Sequence, residues 1–187
     1  MTTLAAPPAP TGTASALRRL YFVRFGFAIA WALVMFTMAK EITPVAAVLL
    51  VVYPLFDVAA AVVDANASRE TRSPVLLYVN MAVSLIAAVG VGIAAATSGI
   101  PDVLRVWGAW AIVSGLVQLI VAVPRRKMGG QWAMILSGGI SVLAGGSFVA
   151  SAGADNPTLA SAIGYAVPGG IFFLISALRL GRTAKEA

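Results

Sequence analysis

The sequence predicts an all-α polytopic membrane protein, six transmembrane helices arranged as three repeated helical hairpins. Three observations carry that prediction. The 187 residues are 60% hydrophobic and only 11% charged, with a mean hydropathy of +0.93. A soluble domain carries roughly 25% charged residues. The apolar residues fall into six runs, each close to the ~20 residues a helix needs to cross the hydrocarbon core. Most of the charges, with several Pro and Gly breakers, fall between the runs.

The first sixteen residues are rich in Ala, Pro and Thr, with Pro7, Pro8 and Pro10. Without a hydrophobic period they read as a disordered tail. Arg18 and Arg19 precede an apolar run, as in a signal peptide, but the run is too long and no small-residue cleavage site follows it. The transmembrane domain spans 17–182, and 183–187 form a short C-terminal tail. The six runs cover 20–38, 44–63, 75–97, 103–123, 131–151 and 158–180. In lipid only helices are available to them, because every backbone polar group must be satisfied within the segment.

Charge sets the orientation. Arg18, Arg19, Arg69, Arg72, Arg125, Arg126, Lys127, Arg179, Arg182 and Lys185 all fall on one side, against Lys40 and Arg105 on the other. The positive-inside rule puts the basic side, and both termini, in the cytoplasm. A formal charge of +6 would suggest nucleic acid for a soluble chain. In short juxtamembrane clusters it points instead to anionic lipid headgroups at the bilayer surface, with no nucleic acid as partner. The other side holds one acid per connection: Glu41, Asp102 and Asp155. With no His in the chain, an acid response would come from carboxylates, whose ordinary pKa lies near ~4.

Internal similarity supports the hairpins. Arg24-Phe-Gly-Phe-Ala-Ile-Ala-Trp, Asn80-Met-Ala-Val-Ser-Leu-Ile-Ala and Ser137-Gly-Gly-Ile-Ser-Val-Leu-Ala recur at near-equal spacing on the odd helices. The even helices align loosely around Asp57, Gly115 and Gly169.

Chemistry-bearing residues are few. Arg24 and Asp57 lie inside membrane runs, where a charge costs about 2.5–3.5 kcal/mol on insertion scales and so faces a partner or a cavity. Counted back from the turn between the first two runs, they fall at one depth. They read as an intramembrane ion pair or an ion site, with Arg24 snorkelling to the headgroups as the remaining alternative. Asn80 and Gln118 are level across the next hairpin, and Ser114 and Ser137 lie at similar depth. These four form a polar layer, either interhelical hydrogen bonds or a solute site open to the cytoplasm. Ser137, Ser141 and Gly145 recur every fourth residue, a small-residue face for packing within the chain or against a second copy. Pro54 and Pro168 sit inside apolar runs and should kink them.

No metal or cofactor site and no catalytic residue follows from the sequence. There is no Cys, and no phosphate-binding loop, metal box or nucleophile elbow. The runs hold a single carboxylate, so paired acid–base work lacks a second member.

The segments Trp-Ala-Ile-Val-Ser-Gly-Leu-Val-Gln-Leu-Ile-Val-Ala-Val-Pro-Arg-Arg-Lys and Ser-Gly-Gly-Ile-Ser-Val-Leu-Ala-Gly-Gly, within 107–151, resemble the HdeD-like membrane proteins, built from a short repeated domain of unknown function. The resemblance implies a small non-enzymatic bacterial inner-membrane protein with six helices and a contribution to acid or stress tolerance. Arg24 and Asp57 depart from it, standing where the repeat has small or apolar residues. Two other readings stay open: a small transporter or channel using the polar layer, and an accessory subunit that binds another membrane protein.

Overall fold

The computed structural model describes residues 11–67, 75–123 and 131–186. They form six helices: α1 (Thr11–Phe36), α2 (Pro44–Ala67), α3 (Val75–Thr97), α4 (Ile100–Ala122), α5 (Gln131–Ser151) and α6 (Ala160–Glu186). Five stretches are long and apolar enough to cross a membrane: Ser15–Phe36, Pro44–Ala67, Val75–Thr97, Ile100–Ile120 and Ala160–Arg179. Helix α5 contributes the shorter apolar stretch Ile135–Ser151. The chain is therefore a multi-pass membrane protein by length and composition. Its outward side chains agree, with Leu33, Ile86, Ile120 and Leu143 all exposed.

Helix α1 begins at Thr11 and α6 continues to Glu186, so helix extends into both stretches that read as tails from sequence. Residues 1–10 lie outside the described residues, as do the connections 68–74 and 124–130, which hold Arg69, Arg72, Arg125, Arg126 and Lys127.

The three other connections cluster at one end, the turn end. Thr43 caps α2, its hydroxyl accepting from the Ala46 N–H at 3.1 Å, and Pro44 occupies the first helical position. Both choices satisfy or remove N–H groups that a helix start leaves unpaired. Between α3 and α4, Gly99 has φ +79°, a conformation only glycine reaches without strain. The Leu159 N–H donates to the Ala39 carbonyl at 2.8 Å, which ties the start of α6 to the end of α1.

The six helices form a closed ring in chain order, with α6 returning to α1. The sequence predicts three repeated hairpins, α1–α2, α3–α4 and α5–α6. The most extensive contacts are α4–α5, then α1–α6, then α2–α3, and α5–α6 is the slightest of the six. The physical reason lies in where the apolar contacts sit. Met35, Leu50, Val91, Leu104, Phe148 and Ile163, one from each helix, form a buried cluster near the turn end. The sequential pairs meet there. Pro54 and Pro168 lie inside helices that run on without a break.

Helices α4 and α5 approach closely because glycines face each other twice. A Cβ on Gly115 would stand 2.6 Å from the Gly138 carbonyl oxygen, and one on Gly145 would stand 2.5 Å from that of Gly108. Two matched contacts with opposite chain direction make the pair antiparallel and in register. Small residues allow this approach, and dispersion contact replaces the hydrophobic drive that lipid does not supply. Backbone cannot yield as a side chain can. Gly115→Ala and Gly145→Ala should each destabilise by about 1–3 kcal/mol, the usual range for overpacking. Thermal unfolding in detergent should show lower midpoints for both. Gly139→Ala and Gly146→Ala, whose added Cβ meets nothing within 4 Å, should match the parent chain. Equal midpoints for all four variants would remove the glycine interlock.

Candidate functional site

The half of the bundle away from the turn end encloses a chamber of about 450 Å³, lined from all six helices. Its lining reaches from Trp107 and Ala162 inside the bundle to Asp64, Leu76 and Ser176 near the other end of their helices. That end, where α2, α4 and α6 finish, is the basic end. The lining runs toward it.

Asp57 is the hub of the chamber wall. Arg24 on α1 donates to Asp57 Oδ1. Asn80 Nδ2 and Ser84 Oγ on α3 donate to Asp57 Oδ2, each at 2.8 Å. Trp110 Nε1 on α4 extends the network to Ser84 Oγ at 3.2 Å. The Arg24 guanidinium also lies 4.1 Å from the centre of the Phe173 ring on α6, within cation–π range. One ion pair thus connects α6, α1, α2, α3 and α4. Arg24 and Asp57 are mostly buried, at 16% and 14% side-chain exposure before any lipid is counted.

The polar layer divides. Asn80 bonds Asp57 rather than Gln118. Ser114 and Gln118 line the chamber one turn apart on α4; Ser114 Oγ and Gln118 Oε1 are buried and, among the described residues, without a hydrogen-bond partner. Unsatisfied buried polar atoms are rare in folded proteins and cost about 1–3 kcal/mol each. Ser137 also lines the chamber.

The small-residue face divides too. Gly145 packs on α4. The Ser141 hydroxyl bonds the Tyr165 hydroxyl on α6, while Ser141 Oγ lies 2.9 Å from the Ser137 carbonyl oxygen. The face serves contacts inside the chain, which takes Gly145 from any external partner.

The outer acids stand at the turn end. Glu41 and Asp155 are exposed. Asp102 pairs with Arg105 one turn along α4 and sits in the first turn of that helix, where the helix dipole favours an acid.

One residue of the Asp57 network, Ser84, is not in the polar layer that the sequence predicts. Ser84 is fully buried. Trp31, Tyr53, Trp107 and Trp110 form a chain of ring contacts with centroids 4.6–6.2 Å apart. The Trp31 indole N–H donates to the Leu49 carbonyl at 2.7 Å. Mid-depth Trp31 and Tyr53 do not fit the interfacial aromatic belt. Tyr53 lines the chamber, and Trp31 belongs to the packed core beside it.

Fold and site define a helical multi-pass membrane protein with a chamber in one half of its bundle. Residues 103–150, within α4 and α5, match the family model described as a short repeat of unknown function, DUF308. That repeat is the domain of the HdeD-like membrane proteins. No curated protein matches the chain, and no solved structure does.

Removing one partner of a buried pair leaves a charge uncompensated, at about 3–5 kcal/mol. Arg24→Ala and Asp57→Ala should each lower the unfolding midpoint in detergent. The double variant should recover part of the loss, since it leaves no lone charge. Strict additivity of the two losses would show that the pair carries no coupling.

Proposed function

We propose that this chain is a non-enzymatic membrane protein that takes a small solute into its chamber, as a transporter does when open on one side. The observation that carries the reading is the chamber itself. Packed apolar and aromatic residues fill the turn end, and the lining runs on toward the basic end. Two of its residues, Ser114 and Gln118, carry buried polar atoms, Oγ and Oε1, without a hydrogen-bond partner among the described residues. Small-molecule sites are concave, mostly apolar and supplied with a few convergent polar groups, at volumes of about 300–1,000 Å³. Both Asp57 oxygens are occupied by donors, which supports a structural and shaping role for this carboxylate over acid–base work.

The Lys/Arg asymmetry supports six crossings of a bacterial inner membrane, with the basic end and both termini in the cytoplasm and anionic headgroups at the basic connections. The chain lacks cysteine, so single cysteines report cleanly. Ser137→Cys in the chamber should react with an impermeant thiol reagent in inside-out vesicles and stay unreacted in intact cells. Ser98→Cys and Gly153→Cys at the turn end should show the opposite pattern. Silence of Ser137→Cys from both sides would overturn the open chamber, and a reversed pattern would overturn the orientation.

Acid or stress tolerance is the second reading. It is supported by the match of 103–150 to the repeat and by exposed Glu41 and Asp155 at the turn end. Protonation would remove negative charge from that face and alter what it holds. A strain lacking its own copy should survive strong acid better with this chain than with its Glu41→Gln, Asp102→Asn, Asp155→Asn variant at equal protein level. Equal survival would dismiss these acids as sensors.

A further inference from the structure

Resting on the solute-binding reading, we infer that the chamber's ligand is an uncharged single-chain amphiphile: a hydroxyl-bearing head bound at Ser114 and Gln118 and an apolar chain admitted from the bilayer between α5 and α6.

The head is fixed by what the deep chamber offers. Its ionised groups, Arg24 and Asp57, are closed on each other, and Asp57 takes two further donors from Asn80 and Ser84. Neither presents a free ionic pole. A charged head would have to break that network or stay unpaired in an apolar wall, which is costly. Asp64 stands near the mouth, beyond this depth. The unmet demand is neutral. Gln118 Oε1 is an acceptor only, and Ser114 Oγ accepts and donates. Both are buried without partners among the described residues. A ligand hydroxyl supplies a donor for each, and burial away from water makes the bond matter. One turn of helix between the two atoms suits adjacent hydroxyls.

The chain is fixed by the walls and the entrance. Tyr53, Trp110, Phe172 and Phe173 line the chamber and supply apolar surface with few polar atoms. Helices α5 and α6 touch less than any other adjacent pair. Tyr165 fastens that seam, its hydroxyl bonded to Ser141 and its ring 5.7 Å from that of Phe148. From this clasp toward the basic end, α5 contributes Ser137 to the chamber and α6 contributes Gly169, Phe172, Phe173 and Ser176. Gly169 has nothing within 4 Å of a would-be Cβ. The loosest seam of the ring therefore runs alongside the apolar part of the chamber, facing the hydrocarbon that holds such a ligand.

The test uses the full chain with Trp132→Phe, which removes an exposed indole, reconstituted in phosphatidylcholine nanodiscs. Quenching of the remaining tryptophans is read while a dibrominated monoacylglycerol is added, then the matching dibrominated fatty acid, then dibrominated dodecyl-type trimethylammonium. The monoacylglycerol should saturate the quenching at a mole fraction at least tenfold below either charged probe. Ser114→Ala, and separately Gln118→Leu, should erase most of that preference while the unfolding midpoint stays near the parent's. Gly139→Ala should retain the preference. Excess free glycerol should not displace the brominated probe. Equal response to the charged probes, or an undiminished preference in both variants, would overturn the head assignment. Displacement by glycerol would place the ligand's source in water and overturn the bilayer route. Any of these failures, with Ser137→Cys still labelled from the basic side, would leave the open chamber standing and reject only this ligand.

Discussion

A carboxylate in an apolar bundle has to be compensated wherever it sits, and the location of Asp57 decides much of the remaining geometry. Its two oxygens draw Arg24 from one neighbouring helix and Asn80 with Ser84 from the other. Ser84 in turn holds the Trp110 indole. Four helices are thereby placed in rotation and depth by one group, a specificity that lipid-facing packing of Leu and Val alone would not supply. Hydrogen bonds between membrane helices average only about 0.6 kcal/mol each. Here the demand comes from a buried charge, so loss of the set leaves a much larger penalty than the bonds counted singly.

The network and the glycine interlock act on opposite sides of the ring. Around α1, α2 and α3, long polar side chains span the gaps between helices. Between α4 and α5, Gly115, Gly138, Gly108 and Gly145 remove side chains and let the backbones meet. The closed ring leaves space inside. At the turn end, Trp107, Leu104 and Phe148 fill it. Toward the basic end, smaller residues such as Ser114, Ser137 and Gly169 leave it open. The chamber is thus a product of residue size along the helices.

Much of the fold was legible in the residues. Six apolar runs separated by charge and turn formers correspond to the six helices, because in lipid a run of that length has one backbone solution. The depth of Arg24 against Asp57 was also legible, since an antiparallel hairpin relates depth to distance from its turn. Helix rotation was not. Asn80 lies level with Gln118, yet it points to Asp57, and depth alone does not distinguish the two partners. The pairing of helices was hidden for a related reason. Uniformly apolar helices carry little directional pattern, so hairpin order alone does not tell which neighbours touch most. The glycine positions held the signal for α4–α5: Gly108 and Gly115 are seven residues apart, as are Gly138 and Gly145, which puts each pair on one face. Trp31 and Tyr53 lie too deep for an interfacial aromatic belt, and their ring contacts with Trp107 account for that depth.

The closure of the ring by α1 against α6 bears on how the chain is made. Synthesis delivers α1 first and its most extensive neighbour last. Until α6 arrives, one whole flank of α1 has only lipid or the insertion machinery beside it, and its arginine would be alone at depth. Asp57 emerges on the very next helix. The ion pair joins consecutive segments, so both of its members are made before the last four helices. Phe173 then covers Arg24, and the Leu159–Ala39 backbone bond fastens the last helix to the first.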